Sequence, residues 1–195
     1  LQSILQNQIE KFGQHFFKEG SKVIPGNIGY SQLYFCVQLN NNFQGIPIEE
    51  YTDQLVGTTI TGKNSGVKAV VDKVLKAADS EKGNTTLYIN YLNSSTTNNS
   101  TQTFSDGEEL SCDTTITSGL LGNNSIAPGD SFAVTFATAA AQTGSSFQIQ
   151  DGIYFIRGNF VNVATETLIL DQYGTTPSYR VGLFVNEQII NADLD

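Results

Sequence analysis

The run Asp151–Glu187, DGIYFIRGNFVNVATETLILDQYGTTPSYRVGLFVNE, is the most apolar and best punctuated in the chain, and its reading decides the fold class. Ile153 to Val163 is β-branched and aromatic on both faces, as a central strand would be, and Asp151-Gly152 before it is a tight-turn signal. Leu168 to Leu170 reads as a brief second strand, and Gly174 and Pro177 punctuate the loop after it. Beyond the loop, Tyr179, Val181, Leu183 and Val185 alternate with Arg180, Gly182, Phe184 and Asn186, the period of two that a strand requires. Three consecutive strands are therefore expected. Phe147 to Gln150 is expected to be the hairpin arm that pairs with the first of them. The cations Arg157 and Arg180 are read as structural, paired with Asp151, Glu166 or Asp171; the alternative is an anion site between them.

Working outward to the amino end, Leu1, Leu5, Ile9, Phe12 and Phe16 recur at spacings of four, four, three and four among polar residues. That is one stripe of an amphipathic helix, running to about Lys18 and stopped by Gly20. The stripe has two possible uses, packing on the sheet or associating with copies of itself. The chain holds no methionine and opens inside the helical pattern, so the helix is expected to continue upstream in a longer polypeptide. His15 is the only histidine, without a neighbouring carboxylate or second ligand, and is not read as catalytic.

Leu33 to Leu39 alternates and reads as a strand with Cys36 half-buried on it. The stretch from Tyr51 to Leu92 is expected to be a three-stranded meander. Within it Val67 to Ala78 matches both a helix and a strand, and its valine content between Gly66 and Gly83 decides for strand. Gly57, Gly62 and Gly66 fit neither GxxxxGK[ST] nor GxGxxG, so they are hairpin glycines and not a phosphate loop. Asn93 to Thr101 is built from Asn, Ser and Thr alone and is expected to be an exposed loop. Asp106, Glu108 and Glu109 in FSDGEEL lack the alternating acidic ladder of a calcium loop. Ser131 to Thr138 is a further strand.

The pieces divide the chain into a helix (1–19), a connector with the first strand (20–50), a β module with the polar loop (51–145), and C-terminal antiparallel strands that pair with the first-strand region (146–195). The fold class is mainly β: an N-terminal amphipathic helix followed by small antiparallel β modules, meander-, barrel- or sandwich-like.

Charge narrows the function classes. Residues 1–82 carry eight acids and eight lysines, whereas residues 83–195 carry eleven acids against Arg157 and Arg180. The acidic, aromatic-rich half would repel nucleic acid and anionic membrane. No run approaches the roughly 18–20 apolar residues of a membrane helix. Cys36 and Cys112 have no metal-binding spacing and are read as reduced, with one long-range disulfide as the alternative. No Ser/His/Asp or Cys/His set is legible, and no pair among the 19 acids stands out, so the chain is not read as an enzyme.

The segments LQSILQNQIEKFGQHFFKEGSKVIPG, VGTTITGKNSGVKAVV, TTLYINYL, FSDGEEL, and DGIYFIRGNFVNV with LDQYGTTPSYRVGLFVNE, in that order, resemble an uncharacterised domain family of virion structural proteins. That family occurs in tailed phages, including contractile-tailed phages of cyanobacteria. The resemblance implies a structural component of the tail, baseplate or tail-fibre base, assembled in the bacterial cytoplasm and carried in the virion. It brings no active site, cofactor or metal with it. The partners it implies are other tail or baseplate subunits and copies of the chain itself, as in a trimer, with Leu1, Leu5, Ile9, Phe12 and Phe16 as the expected oligomer interface. The alternative is a host-surface or glycan-binding module using the polar loops near Asn93 and Gly119 together with exposed tyrosines.

Overall fold

The computed structural model describes residues 2–24, 26–93, 102–121 and 125–187. Strand accounts for 44% of the chain and helix for 15%, so the protein is mainly β, with one N-terminal helix, several antiparallel sheets and no closed barrel.

Helix α1 spans Gln2–Phe16. The strands that follow are β1 (Lys22–Ile24), β2 (Ile28–Gln38), β3 (Thr59–Gly62), β4 (Lys68–Leu75), β5 (Thr86–Asn93) and β6 (Glu109–Cys112). After them come β7 (Ser131–Val134), β8 (Ala141–Ile149), β9 (Gly152–Ile156), β10 (Asn159–Val163) and β11 (Glu166–Asp171). Eight of these form one antiparallel sheet in the order β7-β6-β3-β4-β5-β2-β8-β11, and β1-β9-β10 form a second sheet. Two-residue ladders, Asn42–Phe43 with Ile46–Pro47 and Ile116–Thr117 with Ser125–Ile126, lie in the connections.

The meander β3-β4-β5 is the one the valine-rich run specifies. The large sheet then curls, so that its first strand meets the end of β2 through the Leu39–Thr135 bridge. Asn40 N–H donates to the Val134 carbonyl (2.9 Å), and Phe136 N–H to the Gln38 carbonyl (2.8 Å). These bonds stand where a barrel would have a full ladder. Inside the curl lies the core, with Val37, Leu39, Ile60, Val71, Leu87 and Phe132 buried. The short 3-10 turns Ile48–Glu50 and Thr52–Leu55 plug it with Ile48, Tyr51 and Leu55. Tyr51 is buried at no polar loss, because its hydroxyl donates to the Phe132 carbonyl at 2.7 Å.

Three strand expectations need correction. Ile153 to Val163 is a hairpin and not one central strand: β9 turns at Arg157-Gly158 into β10. Both turn residues have positive φ (48° and 85°), the two-residue turn whose twist matches that of the flanking strands; Gly158 adopts it without steric cost. Phe147 to Gln150 is not the arm of that hairpin. Its strand, β8, pairs with β2 and β11, while β9 passes to the second sheet, so Gln150-Asp151 is a bend between sheets. Tyr179 to Asn186 is unpaired, although it alternates. The chain leaves β11 and is tied elsewhere at once: Gln172 accepts from Glu81 N–H (2.8 Å) and donates to the Asp79 carbonyl (3.1 Å). The Tyr173 hydroxyl bonds Ser80 and Thr86. A strand needs a partner edge, and these bonds carry the chain away from one.

The 20–50, 51–145 and 146–195 regions thus contribute to one sheet, and the boundary expected at residue 145 falls inside β8. The half-buried reading of Cys36 is also corrected: Cys36 and Cys112 are both buried, and both are free thiols.

Candidate functional site

The helix is held by one face and bare on another. Gly13 is buried against Phe155, so closely that a Cβ there would overlap the ring edge. One turn on, Phe17 packs tilted against Phe155 and edge to face with Phe160, at centroid distances of 5.9 and 5.7 Å, and Phe155 and Phe160 are 5.3 Å apart. Gly20 N–H donates to the Phe155 carbonyl (2.8 Å), and the Glu19 carboxylate accepts the Arg157 N–H. Four separate contacts therefore fasten the end of α1 to the β9-β10 hairpin.

The predicted stripe lies about 100° around the helix from the Gly13–Phe17 line. Leu5, Ile9, Phe12 and Phe16 are brought onto one surface there, 52%, 51%, 59% and 63% exposed. The Phe12 and Phe16 rings touch, 4.5 Å between centroids. Ile4 widens the apolar surface, and Leu1 lies outside the described residues. His15 is exposed beside Phe16 with no polar partner among the described residues.

The charged candidates fall apart. Arg157 pairs with Glu187 (2.6 Å) and not with Asp151, Glu166 or Asp171, and Arg180 forms no ion pair among the described residues. Both partners of the Arg157 pair are more than half exposed, so it contributes about 0–1 kcal/mol. Asp106, Glu108 and Glu109 diverge into three structural roles. Asp106 accepts the N–H groups of Ala139 (3.0 Å) and Ala140 (2.8 Å), and Glu109 bonds the Ser131 hydroxyl. Glu108 turns inward, fully buried. Among the described residues no group of three or more metal-ligating side chains converges. The polar loops near Asn93 and Gly119 are only partly visible, since residues 94–101 and 122–124 lie outside the described ones.

The sequence reading missed Glu108 as an organising residue. Its Oε2 accepts the N–H groups of Asn64 (3.1 Å) and Ser65 (2.9 Å), while Oε1 accepts the Ser65 hydroxyl (2.9 Å) and Ser105 N–H (2.6 Å). The legible signal was the polar turn KNSG between two strands, whose backbone N–H groups need acceptors from elsewhere in the fold. No family model, curated protein or solved structure matches this chain.

Proposed function

We propose that this protein is a non-enzymatic structural component of a phage tail, at the baseplate or tail-fibre base, acting by subunit assembly. The observation that carries the reading is the helical stripe: α1 is anchored by Gly13 and Phe17, yet Leu5, Ile9, Phe12 and Phe16 stay uncovered. The motif resemblance to tailed-phage virion proteins supports the virion setting, and a second copy of the same helix is the occupant the stripe suits. Two copies would bring like stripes together, as symmetric oligomers do.

The magnitude argues for assembly through more than one surface. Covering four half-exposed aliphatic and aromatic side chains is worth about 4–6 kcal/mol per protomer. Association costs about 4–15 kcal/mol in lost freedom. The stripe alone therefore gives weak self-association, strengthened where neighbouring subunits hold copies in register. Light scattering behind size exclusion, run over a concentration series, tests this. The expected result is a mass rising above the 21.1 kDa monomer towards an about trimeric species, and reverting when Phe12→Gln and Phe16→Gln are combined. An oligomer indifferent to those substitutions, or virions that incorporate the double variant normally, would refute the reading.

A further inference from the structure

The large sheet splits at one place. Strands β2 and β5 pair only from Phe35–Ile89 to Gln38–Thr86. Past that point β5 runs on with β4 as far as Asn93, while β2 reaches back with β8 as far as Ile28. The two ladders diverge and leave between them an open cleft of about 340 Å³. That is at the low end of the range for small-molecule sites, about 300–1,000 Å³.

Tyr34 and Tyr88 line it, their rings edge to face at 4.8 Å, with Ile169 adding apolar surface. Tyr88 is only 4% exposed, and its hydroxyl interacts with that of Tyr34, which in turn donates to the Asp171 carbonyl (2.9 Å). Around the pair stand the side-chain amides of Gln32, Asn90 and Gln148, which make no hydrogen bond to other described residues. An amide offers both donors and acceptors at one position, as a sugar hydroxyl does. Asp72 and Lys73 also line the cleft and cancel in charge, and the chain as a whole carries a net charge of −9, which disfavours anionic ligands. Aromatic and aliphatic surface suits the C–H face of a pyranose, while the amides suit its hydroxyls.

We propose that this cleft binds a neutral carbohydrate about one or two pyranose rings long, held by Gln32, Asn90 and Gln148 beside the Tyr34–Tyr88 pair. The inference stands apart from the assembly reading, because no residue of the cleft lies on α1. The probe is an array of neutral oligosaccharides built from hexoses, 6-deoxyhexoses and N-acetylhexosamines, with acidic glycans alongside. The strongest neutral hit is then titrated into ¹⁵N-labelled protein. Amide shifts should cluster at residues 32–34, 88–90 and 146–148, and Asn90→Ala with Gln148→Ala should weaken binding at least about tenfold. Both side chains reach solvent, so the double variant should fold; Thr167→Lys, which narrows the cleft from the exposed edge strand, is an independent check with the same expected loss. Phe12→Gln should leave binding unchanged. An array with no neutral hit, binding confined to acidic glycans, or an affinity within about twofold of the parent in the cleft variants would overturn the proposal.

Discussion

Replacing Glu108 by Gln keeps the size of the side chain and removes one acceptor oxygen from a site where four donors converge. If the new amide nitrogen takes the Oε2 position, the N–H groups of Asn64 and Ser65 both lose their acceptor. If it takes the Oε1 position, the Ser65 hydroxyl can turn to accept, and only Ser105 N–H is stranded. The second arrangement wins, at a cost of about 1–3 kcal/mol for one buried unsatisfied donor. The two bonds kept by the remaining oxygen change from charge-assisted to neutral and lose about 1 kcal/mol each. Removing a buried charge relieves some desolvation, which offsets part of this. The net expectation is a loss of about 2–3 kcal/mol, against a total stability of about 5–15 kcal/mol. For a chain of this size that lowers Tm by about 5–10 °C. Urea titration should show a lower midpoint with an unchanged m-value, and hydrogen exchange should show lost protection at Ser105 while Asn64 and Ser65 stay protected. A variant within about 0.5 kcal/mol of the parent, or unchanged protection at Ser105, would refute the account of Glu108 as the clamp between the Lys63–Gly66 turn and the Ser105–Gly107 turn.

Gly13→Ala sets two effects against each other: helix propensity improves by about 1 kcal/mol, while the methyl group meets the Phe155 ring and costs about 1–3 kcal/mol. The expected net result is a loosened helix with faster exchange at Gly20, whose N–H bonds the Phe155 carbonyl; faster exchange at Gly20 should be absent in the surface variant Phe12→Gln. The phenols of Tyr51, Tyr88 and Tyr91 are pushed up to about 12 from 10.0 by burial, and burial raises Tyr34 as well. The folded state thus keeps protons that the unfolded chain releases above pH 10, so stability is intact below pH 10 and falls as the pH climbs to about 12. Tyrosinate absorbance and circular dichroism should change together across that window; ionisation of these phenols near pH 10 in a still-folded protein would contradict it. Burial likewise pushes the Cys36 thiol up to about 12, so Cys36 should resist a thiol-specific disulfide reagent at pH 8 until denaturant is added. Rapid labelling of Cys36 in the native protein would show that strands β2 and β8 open readily.

Periodicity and composition determined the local features of this protein. The four-four-three-four spacing from Leu1 to Phe16 specified a helix with one apolar face, and the β-branched run after Gly66 specified the strand Lys68–Leu75. Both follow from residues a few positions apart, whose side chains share a face whatever the rest of the chain does. Only the tertiary structure decided which edges meet. Ile153–Val163 and Tyr179–Asn186 have comparable strand patterns, yet one folds on itself at Arg157-Gly158 and the other is diverted by the bonds of Gln172 and Tyr173 to the β4–β5 connection. Glu108 read only as one of three acids in FSDGEEL until the Asn64 and Ser65 amides were brought to it from 44 and 43 residues away. The cleft beside Tyr88 exists because two ladders diverge, and no single strand encodes that divergence. Partner choice is set by loop closure and by the competition among distant donors and acceptors, and these act only after the local elements have formed.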